Sequence, residues 1–389
     1  MIINKQRFVQ GLLCAAALQV FCIGCAGCNI SADESQANVA KDSIAIMTWN
    51  LQALFDGTED GTEYAEYFES EGWSQEKYRG RLNVISAAIE GMSERPDIIA
   101  MQEVESSRVM HDLAEALSRF GYNWTHFANI PGMALGVGLL SRFPLDETKS
   151  HSVYIDGEIA PRPMLEARVL TSGKTAVEPE ANDASIILFV CHWKSKLGGE
   201  DVTESTRRAS ARIILRRIRE LEHSESNIPV IVMGDLNENH DEFYRRSGTD
   251  ICALLPDDPR SAQLVNLYGL DGSMETGAII SELQKDFIII SKQKPPVPKF
   301  FPDGVQMLYS PWTDDLEDGS YYYKNNWETI DHFLLSGHLF DGTGWDYSSC
   351  KVINVPPFAS AKGFPVAYNP RTGYGLSDHL PLMLFLKRQ

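Results

Sequence analysis

Short apolar runs recur along this chain, and most of them stop at, or start from, a polar side chain. "IAIMTWN" ends on Asn50, "PDIIAMQE" on Glu103, "LFVCH" on His192, and "VIVMGDLN" on Asp235 and Asn237. Further on, Asp331 and His332 precede "FLLS", and Asp378 and His379 precede "LPLMLFL". Apolar runs this short, bounded by turn residues, read as buried strands. One acid after one strand is merely the first solvated residue. A whole set of polar ends is different, because strands packed in a sandwich deliver their ends to a common rim.

Between the runs the periodicity is helical. Tyr78, Leu82, Ile85, Ile89 and Met92 recur every third or fourth residue behind the cap Ser74. Val109, Leu113, Leu117 and Phe120 mark a second helix. Asp201 and Glu204 form a cap and N3 pair for a third, with Ala211, Ile214, Leu215, Ile218 and Leu221 on its apolar side. The arginines opposite, Arg207, Arg208, Arg212, Arg216, Arg217 and Arg219, read as a solvated face. "GVGLLSRFP" is another strand, and "ARVLTSGKTAVEPEANDASIILFVCHW" reads as two strands around a polar hairpin loop. Residues 241–310 show no clear pattern. With no fixed repeat and no linker-like break, 43–389 is expected to be one α/β domain with two layers of sheet.

The N-terminus has a separate logic. Lys5 and Arg7 precede a mostly apolar stretch, 8–24, interrupted by Gln10 and Gln19. That is the layout of an export signal, 1–24, and falls short of a membrane span. "FCIGCAGC" places small residues before Cys25 and Cys28, as in a bacterial lipoprotein signal, although the position usually aliphatic is occupied by cysteine. The expectation is an exported, membrane-anchored lipoprotein, periplasmic or at the cell surface, with simple secretion as the alternative. Residues 25–42 are polar and aperiodic and read as a tether. Beyond them only Cys191, Cys252 and Cys350 remain of seven cysteines, which is neither a disulfide framework nor a zinc set. The formal net charge is −18 and becomes more negative once Lys5 and Arg7 are removed. Such a chain repels polyanions at long range, which argues against tight nonspecific DNA binding but permits a local basic site.

Carboxylates, amides and histidines without a thiolate suit metal-assisted hydrolysis of phosphate esters. Oxygen donors are hard ligands, and Mg2+ takes only one or two carboxylates while keeping several waters. Histidine moves protons or holds a phosphate oxygen near neutral pH. Asp235 and Asn237 lie two apart, so an extended backbone points both side chains the same way.

In this order, "TWNLQALFD", "PDIIAMQEVES", "LLSRFP", "CHWKSK", "VMGDLNE", "TIDHFLLS" and "LSDHLPL" resemble the endonuclease/exonuclease/phosphatase superfamily, the DNase I-like fold. The likeness runs from about Ile44 to Leu386. "HWKSKLGGE", "TESTRRASA" and "YYYKNNWETIDHFLLS" are similar to its bacterial secreted and lipoprotein members. The resemblance implies a four-layered α/β sandwich, two mixed sheets face to face with helices outside and a cleft at one rim. It implies that Glu103, Asn50 and Asp378 bind the metal, Asn50 serving metal or phosphate. It casts His379, oriented by Asp331, as a catalytic histidine, and His192 as the other, on phosphate or the leaving oxygen. Asp235 and Asn237 become the pair that handles water or leaving group and phosphate oxygens. Lys194 or Lys196 is a candidate for added positive charge, and so are Arg142 and Arg162, for each of which a buried structural pair with an acid is equally expected. Gln52 stands where relatives active on abasic DNA carry an acid, which, with the export signal, weakens a repair role. Asp56 and the acids after it stay loop acids with a modest claim on a metal.

The expected chemistry is in-line attack by water on phosphorus with Mg2+, or alternatively Mn2+ or Ca2+, and with His379 or Asp235 as base. Nucleic acid is the first expectation for substrate, and no obligate protein partner is inferred. A phospholipid or inositol phosphate is the alternative, and a surface lipoprotein that binds a partner without catalysis is the rival from another class. The aromatic stretch "SPWTDDLEDGSYYYKNNW" either packs a sheet edge or offers stacking faces or a lipid lip.

Overall fold

The computed structural model describes residues 42–171, 185–225, 227–269, 284–313 and 316–389. The proposed signal, Cys25, Cys28 and the polar hairpin loop after Leu170 lie outside these residues. The chain opens with β1 (Ser43–Leu54), α1 (Gln75–Glu90), β2 (Ile98–Val104), α2 (Ser107–Ala116), β3 (Trp124–Ala128) and β4 (Gly136–Ser141). It continues through β5 (Leu145–His151), the small ribbon β6 (Tyr154–Ile155) and β7 (Glu158–Ile159), β8 (Met164–Leu170), β9 (Ser185–His192) and α3 (Glu200–Ser224). Next come β10 (Val230–Asp235), α4 (Glu242–Arg245), β11 (Leu254–Pro256), α5 (Pro259–Gly269), β12 (Ile288–Ser291) and β13 (Met307–Tyr309). The hairpin β14 (Tyr321–Tyr323) and β15 (Asn326–Glu328), then β16 (Asp331–Leu335), β17 (Trp345–Val352) and β18 (Leu382–Arg388), complete it.

Two large mixed sheets result. One has the order β17-β18-β1-β2-β4-β3, the other β11-β12-β13-β16-β10-β9-β8-β5. Their inner faces share one core, in which Ile44, Ile46, Ile98 and Leu139 of the first sheet meet Leu165, Leu188, Ile231 and Phe333 of the second. On the outer face of the first sheet, Met47, Trp49, Ile99 and Met101 pack against Ile85 and Ile89 of α1 and Val109 and Leu113 of α2. On the outer face of the second, Ile187, Phe189 and Val232 pack against Ile214, Leu215 and Ile218 of α3. Alternate strand residues thus serve two cores each, as strands buried on both faces must. This is the four-layered, DNase I-like sandwich.

Local signals explain the helix starts. Ser74 Oγ accepts from Lys77 N, and Ser106 Oγ from Val109 N. The third start departs from expectation: α3 begins at Glu200 after Gly199, whose φ is 117°, with no side-chain cap. Glu204 turns inward instead, to Arg207 at 2.6 Å and the amide of Ala253 at 2.8 Å. The arginine face is also not uniformly solvated. Arg207 is fully buried between Glu204 and Glu238, and Arg208 meets Asp286. Arg207 is thus a counter-ion of buried acids, while Arg212 and Arg216 remain largely exposed, as a solvated face requires.

Glu166 on β8 shows how such a pair fastens a layer. It is 4% exposed, accepts from both Arg217 Nε and Nη2 at 2.8 Å, and lies 2.7 Å from His151 Nε2. Burial opposes its ionisation, but Arg217 and His151 outweigh burial and hold the carboxyl down at about 2. A carboxyl depressed in the folded state contributes stability that is full above its unfolded value and is lost as pH falls toward the folded one. Glu166→Gln is therefore expected to cost about 3 kcal/mol at pH 7. The wild type should lose this margin between about pH 4.5 and 2. Denaturant melts of both proteins at pH 7 and pH 3 check it: equal gaps at the two pH values would rule it out.

Candidate active site

Strand direction brings the polar ends together. β1 and β2 are parallel, so Asn50 and Glu103 arrive at one rim, and β9 and β10 are parallel, so His192 and Asp235 pair in register there. β16 runs antiparallel to β10 and starts at that rim, with Asp331 opposite Asp235. β18 is antiparallel to β1, which places Asp378 and His379, just before it, at the same end.

Asn50 joins the two sheets. Its Nδ2 donates to Asp235 Oδ2 at 3.0 Å and lies 3.4 Å from Glu103 Oε1. Its oxygen is turned away, accepting from the amide of Gln52 at 2.9 Å. In this arrangement Asn50 is a donor between two acids, which suits the phosphate half of its expected metal-or-phosphate role. The register slips beyond Asn50 in β1 and beyond Gln102 in β2. At these bulges Gln52, Ala53 and Glu103 take positive φ, 52°, 55° and 61°. A bulge re-aims a side chain, and here it sends Glu103 across the rim, where Oε2 accepts from Ala53 N at 2.8 Å. Gln52 clamps Tyr368 through both backbone groups.

Across the cleft, His192 Nε2 lies 3.4 Å from Asp235 Oδ2 and 3.6 Å from Glu103 Oε1. Arg162 donates to the same nitrogen and, at 2.8 Å, to the carbonyl of Trp193. Asp235 Oδ1 accepts from Asn237 N at 2.9 Å. Asn237 itself has φ 50°, so a tight turn after the strand, and not extended alternation, brings this pair together. Its Nδ2 donates to the Trp193 carbonyl at 3.1 Å. His379 Nδ1 lies 2.8 Å from Asp331 Oδ2, which also accepts from Ser320 Oγ at 2.6 Å. His379 Nε2 is 4.0 Å from Asp378. Trp49 Nε1 donates to the His379 carbonyl at 3.0 Å, fixing its backbone to the outer core.

These contacts set the charges. Burial alone would discharge His379, but the Asp331 carboxylate outweighs it and raises the imidazole to about 10. Burial also opposes ionisation of Asp235, yet His192, His379 and Arg162 hold that carboxyl well below its usual range. His192 is pushed down by burial and then by Arg162. Asp378 is raised, first by burial, with Glu103 and Asp235 adding to the rise against His379. Asp235 is thus ionised and His379 charged at neutral pH.

The proposed basic residues divide. Arg142 follows β4, which runs antiparallel to β2, so it sits at the opposite rim, paired with Asp97 at 2.9 Å. It is no part of the cluster. Lys196 is engaged with Glu242, itself bonded to Asn239, and braces the loop after Asn237. Lys194 lies near Arg162 and Arg207, and burial, then these two, lower its ammonium. Tyr321 is an addition: its ring stacks on His379 with centroids 4.5 Å apart. The aromatic run in the sequence signalled it, though not the face it turns to the cleft.

Among the described residues no group of three or more His, Cys, Asp or Glu side chains is gathered as a ready-made metal cage. Mg2+ does not need one. The donor types fit it: Glu103 and Asp378 carry hard oxygen donors, and Asp378, raised first by burial, is raised further by the charges of Glu103 and Asp235, which a cation would offset.

A family model described as the endonuclease/exonuclease/phosphatase family matches residues 44–277. No curated protein matches the chain. Among solved structures, an endonuclease/exonuclease/phosphatase from Bacteroides vulgatus is 15% identical, with 90% of this chain and 100% of that one covered and a TM-score of 0.46. Truncated TDP2 of Caenorhabditis elegans is 13% identical, with 89% and 97% covered and a TM-score of 0.48. A mannosyl-6-phosphatase of Bacteroides thetaiotaomicron is 15% identical, with 88% and 99% covered and a TM-score of 0.46.

Proposed function

The chain belongs to the endonuclease/exonuclease/phosphatase family, and from that premise we propose that it is an exported, divalent-metal-dependent phosphoesterase acting on phosphodiester bonds of nucleic acid. The observation that carries the reading is the network joining the two sheets at their shared rim, with Asn50 on Asp235 at 3.0 Å, His192 within 3.6 Å of both Asp235 and Glu103, and His379 tied to Asp331 at 2.8 Å. Export and lipid anchoring rest on the sequence around Lys5, Arg7, Cys25 and Cys28.

In this reading Asp235 takes the proton of the attacking water, and His379 Nε2–H gives one to the departing oxygen. Asn50 Nδ2, Asn237 and the Arg162 guanidinium receive the phosphoryl oxygens, with His192 between them. Glu103 and Asp378 would hold the divalent cation, which supplies positive charge against the phosphoryl oxygens. Arg162→Met is expected to lower kcat/KM by about 10^2-fold, the scale of one lost oxyanion donor. Arg162→Lys should restore little: Nη1 makes both contacts, to His192 and Trp193, and leaves the rest of the guanidinium free for phosphoryl oxygens, whereas a lysine held in the same place has no second nitrogen to offer. Full recovery by lysine would contradict the role.

The test is turnover of plasmid, single-stranded RNA, phospholipid vesicles and an inositol phosphate, with Mg2+ and with EDTA. Mg2+-dependent cleavage of nucleic acid supports the proposal. Turnover of phospholipid or inositol phosphate alone would replace the substrate and keep the phosphoesterase. Inertness of the folded protein toward all four would favour the binding-protein alternative.

A further inference from the structure

The hairpin of β14 and β15 belongs to neither large sheet. Its root is bolted to the site. Ser320 donates to Asp331, its carbonyl accepts from Leu380 N at 2.7 Å, and Glu328 accepts from Asn239 at 2.6 Å and Arg245 at 3.0 Å. Lys324 and Asn325 turn the ribbon with φ of 48° and 65°, the two-residue loop whose twist suits a hairpin.

The two faces of the ribbon differ. Tyr322 and Trp327 are paired across the strands and pack on Phe364, so that face holds the hairpin to the domain. On the other face Tyr321 and Tyr323 stand opposite Glu328 and Asn326. The two rings are nearly parallel, 16° apart with centroids at 6.0 Å, and continue the stack that begins on His379. Tyr323 is 50% exposed, with the Lys324 ammonium 5.0 Å from its ring centroid. Tyrosines opposite polar partners pack no core, and a strip broken by phenols, Glu328, Asn326 and a lysine is a poor bed for an acyl chain. What it offers is flat aromatic surface beside a cation, leading out from the catalytic histidine.

We propose that the Tyr321–Tyr323 face is a stacking subsite for an unpaired nucleobase next to the scissile phosphate, with Lys324 near the adjoining phosphate. This rests on the nuclease reading above. Base–aromatic stacking tolerates any base, because every base has a π-face. A duplex, whose bases are already stacked on one another, would not supply it.

The experiment compares kcat/KM for a dinucleoside monophosphate and its analogue with one base deleted, using wild type, Tyr323→Ala and Tyr323→Phe, with bis(4-nitrophenyl) phosphate as a base-free reference. Wild type and Tyr323→Phe should favour the intact dinucleotide roughly tenfold or more. In Tyr323→Ala the ratio should fall toward one. Cleavage of both dinucleotides without discrimination, or discrimination that survives Tyr323→Ala, overturns the subsite alone. Turnover of the nitrophenyl ester with no cleavage of either dinucleotide overturns the nuclease reading and the subsite together.

Discussion

On the proposed nuclease reading, His379→Ala is expected to lower kcat/KM on a dinucleotide or plasmid by about 10^3-fold, within the span of lost general acid–base catalysis. The same substitution costs much less on bis(4-nitrophenyl) phosphate, whose departing phenolate needs little protonation. The asymmetry follows from the charges at the site. Asp331 takes the Nδ1 side of the imidazole and keeps it protonated up to about 10. Nε2–H is then a proton to give, while Asp235, ionised among its donors, is the group able to accept one. Equal losses on the two esters would mean that His379 acts on the phosphoryl charge or as the base.

The pH dependence has a definite sign. A histidine raised in the folded state keeps its acid form, and the stability it adds, at low pH, and loses both as pH rises through the folded value. Cleavage of the alkyl ester should therefore decline as pH passes about 10 in the wild type. Asp331→Asn removes the charge that raises His379, so the decline moves down toward the ordinary imidazole value of 6.5. A pH–rate profile whose alkaline limb stays in place in Asp331→Asn would refute the assignment.

What the sequence showed of this site, it showed through periodicity. Asn50, Glu103, His192, Asp235, Asp331 and His379 each border an apolar run, and a run of that kind can end only where its strand leaves the core. Strand direction is not written in such a run, so the sequence leaves Arg142 open between the site and a structural pair: β4 returns antiparallel and carries it to the far rim, to Asp97. Arg162 has no apolar run to mark it. Its partners His192 and Trp193 are about thirty residues away, joined only by the pairing of β8 with β9. The arginines of α3 look solvated from their spacing, and Arg212 and Arg216 are; Arg217, Arg207 and Arg208 also meet acids remote in sequence, from β8, the loop after β10 and Asp286. Asn50 was legible as a site residue, but whether its oxygen or its nitrogen faces the cleft depends on the bulge at Gln52, which no pattern reveals. The short strands β11 to β13 fall below any periodic signal, since each spans at most four residues.

On the proposed metal role, Glu103→Gln is expected to raise the Mg2+ concentration needed for half-maximal activity by about 100-fold, the upper range for tuning groups around a metal. The substitution leaves the local fold in place, since glutamine keeps an oxygen for the Ala53 amide. It removes one of the two carboxylates proposed to meet the cation, and the charge that, with burial and Asp235, crowds Asp378. Two consequences diverge. Mn2+ binding, followed by loss of the free-ion EPR signal, weakens in Glu103→Gln, and it weakens again in Asp378→Asn. Affinity for phosphate in the absence of metal does not weaken, because the groups proposed to receive it are Asn50, Asn237 and Arg162. With an acid gone from their midst, that affinity holds or rises. A variant that binds Mn2+ as the wild type does and needs no more Mg2+ would remove Glu103 from the metal site, leaving it a purely structural acceptor for Ala53.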